Sequence, residues 1–227
     1  MSYGQDMSER PTTRTQRRTL EAREAILDAA ESILSEGGIA ALTTEEVARR
    51  TDMAIQTVYN RVGGKQALLI AIAERALEAT RAFLDVAYAE GGPPDKQIRR
   101  VSLAYARLAF ERPHSFRIFA NPPEEPEAIK RVAELANEQH AKLANIIQQG
   151  IDAGLVRTVL NPEVTATALW AMMNGLLTIA LRNDAMRPSM VSPQALVEMA
   201  LLVLESGLQY LSPETSSPKE GRQLLQG

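Results

Sequence analysis

The stretch TTEEVARRTDMAIQTVYNRVGGKQALL, residues 43–69, decides how this chain folds. Thr43-Thr44-Glu45-Glu46 fits a capping box, in which the Thr43 hydroxyl accepts the Glu46 amide hydrogen and the Glu46 carboxylate accepts from the Thr43 amide. A short helix therefore starts at Thr44 and ends near Thr51. A second starts about four residues further on, a gap that suits a helix-turn-helix and not a straight continuation. Small Ala48 falls where the two helices cross, and Val47, Met53, Val58 and Val62 fall where they pack on the helix before them. The second helix, AIQTVYNR at 54–61, opens without a polar cap and carries no charge until Arg61. It is neither a plain core helix nor a charged surface one.

Gly and Pro punctuation divides the rest into helical lengths, with no period-two alternation that would suggest a sheet. Upstream, residues 19–36 form a helix with Ile26, Ala29, Ala30, Ile33 and Leu34 on one stripe and Gly37-Gly38 as its stop. Downstream, a long helix runs from Lys65 toward Tyr88, EGGPPDK at 90–96 breaks the chain, and a further helix reaches Glu111. PHSFRIF is a short piece, and the helix after ANPPEEPE runs over residues 127–153 before Gly154 closes it. Asn161-Pro162 and Ser192-Pro193 each supply an N-cap followed by proline in the first turn. The helices they open, at about 162–182 and 193–211, are apolar nearly all round and so need neighbours on every side. One face enters the protomer core and another is expected to meet a second copy of the chain.

The chain has 227 residues, 45% of them hydrophobic, which suffices for a sizeable core. Absence of cysteine excludes a disulfide framework, a thiolate nucleophile and a cysteine metal site. The first residues lack an apolar leader segment and no apolar run is long enough to cross a bilayer, so the expectation is a soluble, cytoplasmic protein. A net charge of −3 offers little bulk attraction for phosphate. Any phosphate-binding face must arise from arrangement, although Arg10, Arg14, Arg17 and Arg18 stand together in an arm without an acid. His114 and His140 are the two histidines, and neither has a second ligand at a recognised metal spacing. Glu134, Glu138 and His140 read as a salt-bridged surface. No catalytic residue, metal or cofactor is expected. The alternatives are an enzyme built on a helical bundle, or a small-molecule-binding protein that does not bind DNA.

Residues 23–72, REAILDAAESILSEGGIAALTTEEVARRTDMAIQTVYNRVGGKQALLIAI, resemble the DNA-binding domain of the tetracycline-repressor (TetR) family of transcriptional regulators. The rest of the chain resembles that family in layout alone. The resemblance implies an all-α fold of about nine helices: a three-helix helix-turn-helix DNA-binding domain followed by a helical bundle for ligand binding and dimerisation. In domain terms this gives a flexible basic arm at 1–18, the DNA-binding domain at 19–65, the bundle at 66–211 and a disordered tail at 212–227. Two positions depart from the family pattern. Asp52 stands where the turn residue is usually Gly, which places Asp52 or its neighbour at positive φ. Ala54 stands where Ser or Thr usually opens the recognition helix, a loss of roughly 1 kcal/mol of local helix stability.

On this reading the uncharged helix reads base edges. Ile55, Gln56 and Asn60 face the major groove, with the amides able to pair with adenine and Ile55 lying against a thymine methyl. Val58 and Tyr59 are divided between core and DNA. By similarity to the family, Thr57, Tyr59 and Lys65 bind phosphates, with Arg61 and Thr44 as further contacts and free amides at the start of the Lys65 helix. The resemblance also implies a homodimer on a pseudo-palindromic operator, a repressor released by a small apolar or aromatic effector. Residues that would line its pocket are Phe83, Tyr105, Phe116, Phe119, His140, Trp170, Met173 and Asn174. Each of these also suits an ordinary core position.

Overall fold

The computed structural model describes residues 14–182, 184–185 and 191–208. Arg10 and the tail from Ser212 lie outside them. Among the described residues the secondary structure is nine helices: α1 (Arg14–Ala41), α2 (Thr44–Thr51), α3 (Ile55–Arg61), α4 (Lys65–Ala89), α5 (Pro94–Glu111), α6 (Pro113–Ala120), α7 (Pro126–Asp152), α8 (Pro162–Ala180) and α9 (Pro193–Leu208). The all-α expectation holds. None of these helices is long and apolar enough to cross a membrane.

One boundary differs from the sequence reading. Helix α1 starts at Arg14, five residues before the expected Thr19, so Arg14, Arg17 and Arg18 stand on its first turns. The expected stop at Gly37-Gly38 is present as a kink that joins two helical pieces. Gly38 takes φ 68°, ψ −169°, a conformation outside the helix, and helical backbone then resumes as far as Ala41. A Cβ at Gly38 would meet nothing, so the backbone angle and not crowding calls for glycine there. The caps read from sequence are present: Asn161 Oδ1 accepts from the Val164 amide at 2.9 Å and Ser192 Oγ from the Ala195 amide at 3.1 Å. Helix α7 has a cap that was not foreseen, the Glu125 carboxylate accepting from the Ala128 amide at 2.8 Å.

The chain forms two compact units, one reaching to Thr80 and including Arg112–Leu135, the other made of Arg81–Glu111 and residues from 136 onward. In the first, Ile26, Leu27, Ala30 and Ile33 of α1 join Leu42, Val47, Val58, Leu68 and Ile72 in an interior where each is at most 1% exposed. Burial of such side chains is worth roughly 1.5–3 kcal/mol each, and it holds the unit together. Polar contacts fix directions more than they add stability. Arg75 of α4 reaches Asp28 and Glu31 of α1 at 2.8 Å and Glu24 at 3.2 Å. Arg117 of α6 donates to Ser35 of α1 at 2.9 Å.

In the second unit α5, α8 and α9 pack on one another. A core of Ile98, Ile146, Ile147, Val156, Ala166, Leu169 and Leu208 fills its interior. Arg99 of α5 pairs with Glu205 of α9 at 2.8 Å, and Lys142 of α7 with Asp85 of α4 at 2.8 Å. The inner face of α8 is Ala166, Leu169, Met173, Leu177 and Ala180.

Candidate nucleic-acid interface

Helix α2 begins as a capped helix should, with Thr43 Oγ1 accepting from the Glu46 amide at 3.1 Å. The second half of the expected capping box is replaced. The Glu46 carboxylate accepts from Arg49 Nε and Nη2 at 2.8 and 2.7 Å and from Arg50 Nε at 2.9 Å, because two guanidinium groups outcompete a single backbone amide. Arg50 continues to Glu36 at the end of α1, with Nη2 on Oε2 at 2.6 Å. These bonds, from Arg49 before Arg50, pull the Glu46 carboxyl to a pKa of about 2, and Arg50 with Ser32 does the same for Glu36. The α2 arginines therefore tie α2 to itself and to α1.

The turn closes through Asp52, at φ 53°, ψ 39°, the one non-glycine with positive φ among the described residues. An Asp tolerates this left-handed geometry better than most residues, which explains how the turn survives without glycine. The Met53 amide then donates to the Ala48 carbonyl at 3.0 Å. Ala54 caps α3 with its carbonyl alone, accepting from the Thr57 and Val58 amides at 2.8 and 3.3 Å and making no side-chain cap bond. Gly63, at φ 110°, ends the motif; a Cβ there would lie 2.7 Å from that of Ala67.

Helix α3 is divided cleanly. Val58 is fully buried, while Ile55 is 50% and Tyr59 59% exposed, two large side chains four residues apart on the outward side of the helix. Gln56 and Asn60 are exposed on the same face. Gln56 Nε2 donates to Asn60 Oδ1 at 2.9 Å, one helical turn apart. Of the phosphate candidates, Thr44, Thr57 and Lys65 are half-buried. Arg61 is exposed and donates to Thr19 Oγ1 of α1 at 3.0 Å, a link across 42 residues that spacing could not reveal. The Glu46–Arg49–Arg50 cluster did have a readable signal, the i,i+3 and i,i+4 spacing of its charges.

The expected pocket residues fall in two places. Phe116 and Phe119 belong to the first unit and are 1% and 3% exposed. The others lie in the second unit, where the Tyr105 hydroxyl donates to Asn174 Oδ1 at 2.5 Å and the rings of His140 and Trp170 meet edge to face at 4.9 Å. Met173 is buried, and Phe83 lies under the Arg107 guanidinium, 5.7 Å from its centroid. Glu138 pairs with Lys142 at 2.7 Å, the salt-bridged surface expected of it.

Residues 26–72 match a family model described as bacterial regulatory proteins of the tetR family. Residues 91–178 match a tetracyclin repressor-like C-terminal domain. The HTH-type transcriptional repressor KstR of Mycolicibacterium smegmatis is 30% identical over 145 residues, 64% of this chain and 66% of that protein, so the match spans just under two thirds of the relative's length. The MbdR regulator from Azoarcus sp. CIB has a similar structure, with TM-score 0.73 and 21% identity over 83% of this chain and all of that one (100%). AibR, solved in complex with isovaleryl coenzyme A and operator DNA, gives TM-score 0.69 and 16% identity over 80% of this chain and 97% of its own. At these identities the structures establish a shared fold.

Proposed function

The chain belongs to the TetR family of bacterial regulatory proteins, and on that premise we propose that it is a ligand-responsive transcriptional repressor, not an enzyme, acting in the cytoplasm at the nucleoid. It binds a pseudo-palindromic operator as a homodimer, one α3 per half-site, and a small-molecule effector releases it. The observation that carries this reading is the surface of α3, which exposes Ile55, Gln56, Tyr59 and Asn60 together and seats itself on Val58. Uncharged amides and an aliphatic side chain on an outward helix match base edges and thymine methyls, not bulk phosphate. Thr44, Thr57, Tyr59 and Lys65 flank that surface and position it on the backbone, as phosphate contacts do. Arg61 joins them by exchanging Thr19 for a phosphate oxygen. The amides at the start of α4 add uncapped donors beside Lys65.

Dimerisation through α8 and α9 is supported by their outer faces. Val164, Met172 and Ile179 of α8 and Met199, Leu202 and Val203 of α9 are between 44% and 67% exposed, a patch that water alone does not suit. The two amides and the groove they read set specificity, and the phosphate contacts set affinity. Selection of random duplexes by the purified full-length protein tests the whole reading. An inverted repeat is the expected result; recovery of no common sequence, or of a single unrepeated site, overturns it. On the selected duplex, Asn60→Ala lowers affinity for the cognate site alone, whereas Lys65→Ala weakens every duplex and reduces the salt slope by about one.

A further inference from the structure

We propose that Tyr105, His140, Trp170 and Asn174 form the polar end of the effector site, and that the effector is an uncharged molecule carrying an oxygen acceptor, a ketone, ester or hydroxyl, on an otherwise apolar body. The proposal rests on the ligand-responsive reading above and deepens it. Four buried side-chain polar atoms have no hydrogen-bond partner among the described residues: His114 Nδ1, Gln139 Oε1, His140 Nε2 and Trp170 Nε1. Two of the four belong to rings packed against each other. Native structures leave such atoms unmatched where a ligand or ordered water completes them.

The chemistry of these groups selects what completes them. An indole N–H donates and never accepts. Trp170 directs it toward the Tyr105 phenol, favouring the ionised phenol, without completing a hydrogen bond. The phenol itself stays protonated, since burial raises its pKa, and it spends its hydrogen on Asn174 Oδ1. Asn174 is left with its N–H groups. Burial lowers the pKa of His140, so its ring is neutral at neutral pH. The cluster thus offers N–H donors from Trp170 and Asn174, a neutral imidazole able to donate or accept, and no charge.

A carboxylate at this point would lack a counter-ion. The cations on the elements that carry the four residues are all engaged. On α5, Lys96 pairs with Asp95, Arg99 with Glu205, Arg100 with Glu90 and Arg107 with Glu111. On the second-unit part of α7, Lys142 is held by Asp85 and Glu138, and α8 carries no cation. A buried anion without a partner is strongly disfavoured, whereas a neutral carbonyl or hydroxyl oxygen accepts from Trp170, and from His140 in the tautomer protonated at Nε2, at no such cost. The apolar body has Met173 and Leu177 to lie along, on the same inward face of α8 as Trp170.

Trp170 is the single tryptophan of the chain, so its emission reports this site directly. The test titrates the full-length protein with 4-phenylcyclohexanone, phenylcyclohexane and 4-phenylcyclohexanecarboxylate. The ketone is expected to perturb Trp170 emission saturably and to bind at least ten-fold more tightly than the other two. His140→Phe weakens the ketone ten-fold or more. Trp170→Phe, followed by melting temperature, abolishes the ketone-induced rise without lowering the melting temperature of the free protein. Equal binding of hydrocarbon or carboxylate, no perturbation by any of the three, or a Trp170→Phe protein that simply melts lower, as a packing or water-bridging role requires, overturns the proposal. The selected operator duplex, added to the same samples, separates the two readings. Release of DNA by the carboxylate and not the ketone leaves the regulator standing and removes this site; a ketone that binds without releasing DNA does the reverse.

Discussion

Gln56 and Asn60 are joined side chain to side chain on the exposed face of α3. With Gln56 Nε2 donating to Asn60 Oδ1, Gln56 keeps an acceptor and a second N–H, the pair of functions adenine presents a match for, while Asn60 keeps both N–H hydrogens and the second lone pair of its oxygen. Asn60 can therefore donate to guanine N7 and O6 or thymine O4, and it can still pair with adenine, as its residue type suggests. Asn60→Asp, which cannot donate, should move the preference at one position per half-site toward cytosine and cost about 1–3 kcal/mol on the original site. A competition assay over all four bases at each position measures this; an unchanged preference at every position would remove Asn60 from the reading surface. Asp52 makes a second residue-scale case. Its φ of 53° is one that glycine adopts freely, so Asp52→Gly should raise stability by about 0.5–1 kcal/mol, and Asp52→Val should lower it by more, both read from urea midpoints.

At the scale of elements, α2 is held to α1 by charge. Glu46 and Glu36 have folded pKa values of about 2 against an ordinary 4.5, each through arginine hydrogen bonds. Depressed carboxylates contribute fully above the unfolded value and lose that contribution as pH falls through the folded one. The melting temperature should therefore decline from about pH 5 toward pH 2, and Arg50→Met should flatten that decline, most visibly at low salt because Glu36 is exposed and Glu46 only half-buried. An unchanged pH profile in Arg50→Met would show that other carboxylates govern acid sensitivity. Helix starts were legible here because capping is local: Thr43, Asn161 and Ser192 each bond an amide three residues on. The Glu46 return bond was misread because its competitors, although nearby in sequence, win only once side chains are placed.

For the whole molecule, the proposed pairing rests on the exposed apolar faces of α8 and α9. Gly175 is exposed on α8, and a Cβ there would meet nothing within 4 Å of it. Gly175→Leu should thus leave the protomer fold intact, even favouring the helix by up to about 1 kcal/mol, yet shift sedimentation toward the single chain and weaken operator binding. A variant that stays dimeric would remove Gly175 from the interface. Helix-turn-helix order, caps, the positive φ at Asp52 and the buried positions Val47, Ala48 and Val58 were determined by sequence, since each depends on residues within a turn or two of one another. What tertiary structure alone decided is which distant groups meet: Arg61 with Thr19, Arg50 with Glu36, Tyr105 with Asn174, His140 with Trp170. It likewise divided the aromatic residues, giving Phe116 and Phe119 to the first unit and the His140–Trp170 cluster to the second. Local pattern fixes which face of a helix turns inward, but these hydrogen-bond partners and ring contacts form across gaps of 14 to 69 residues, where the path of the intervening chain sets the geometry.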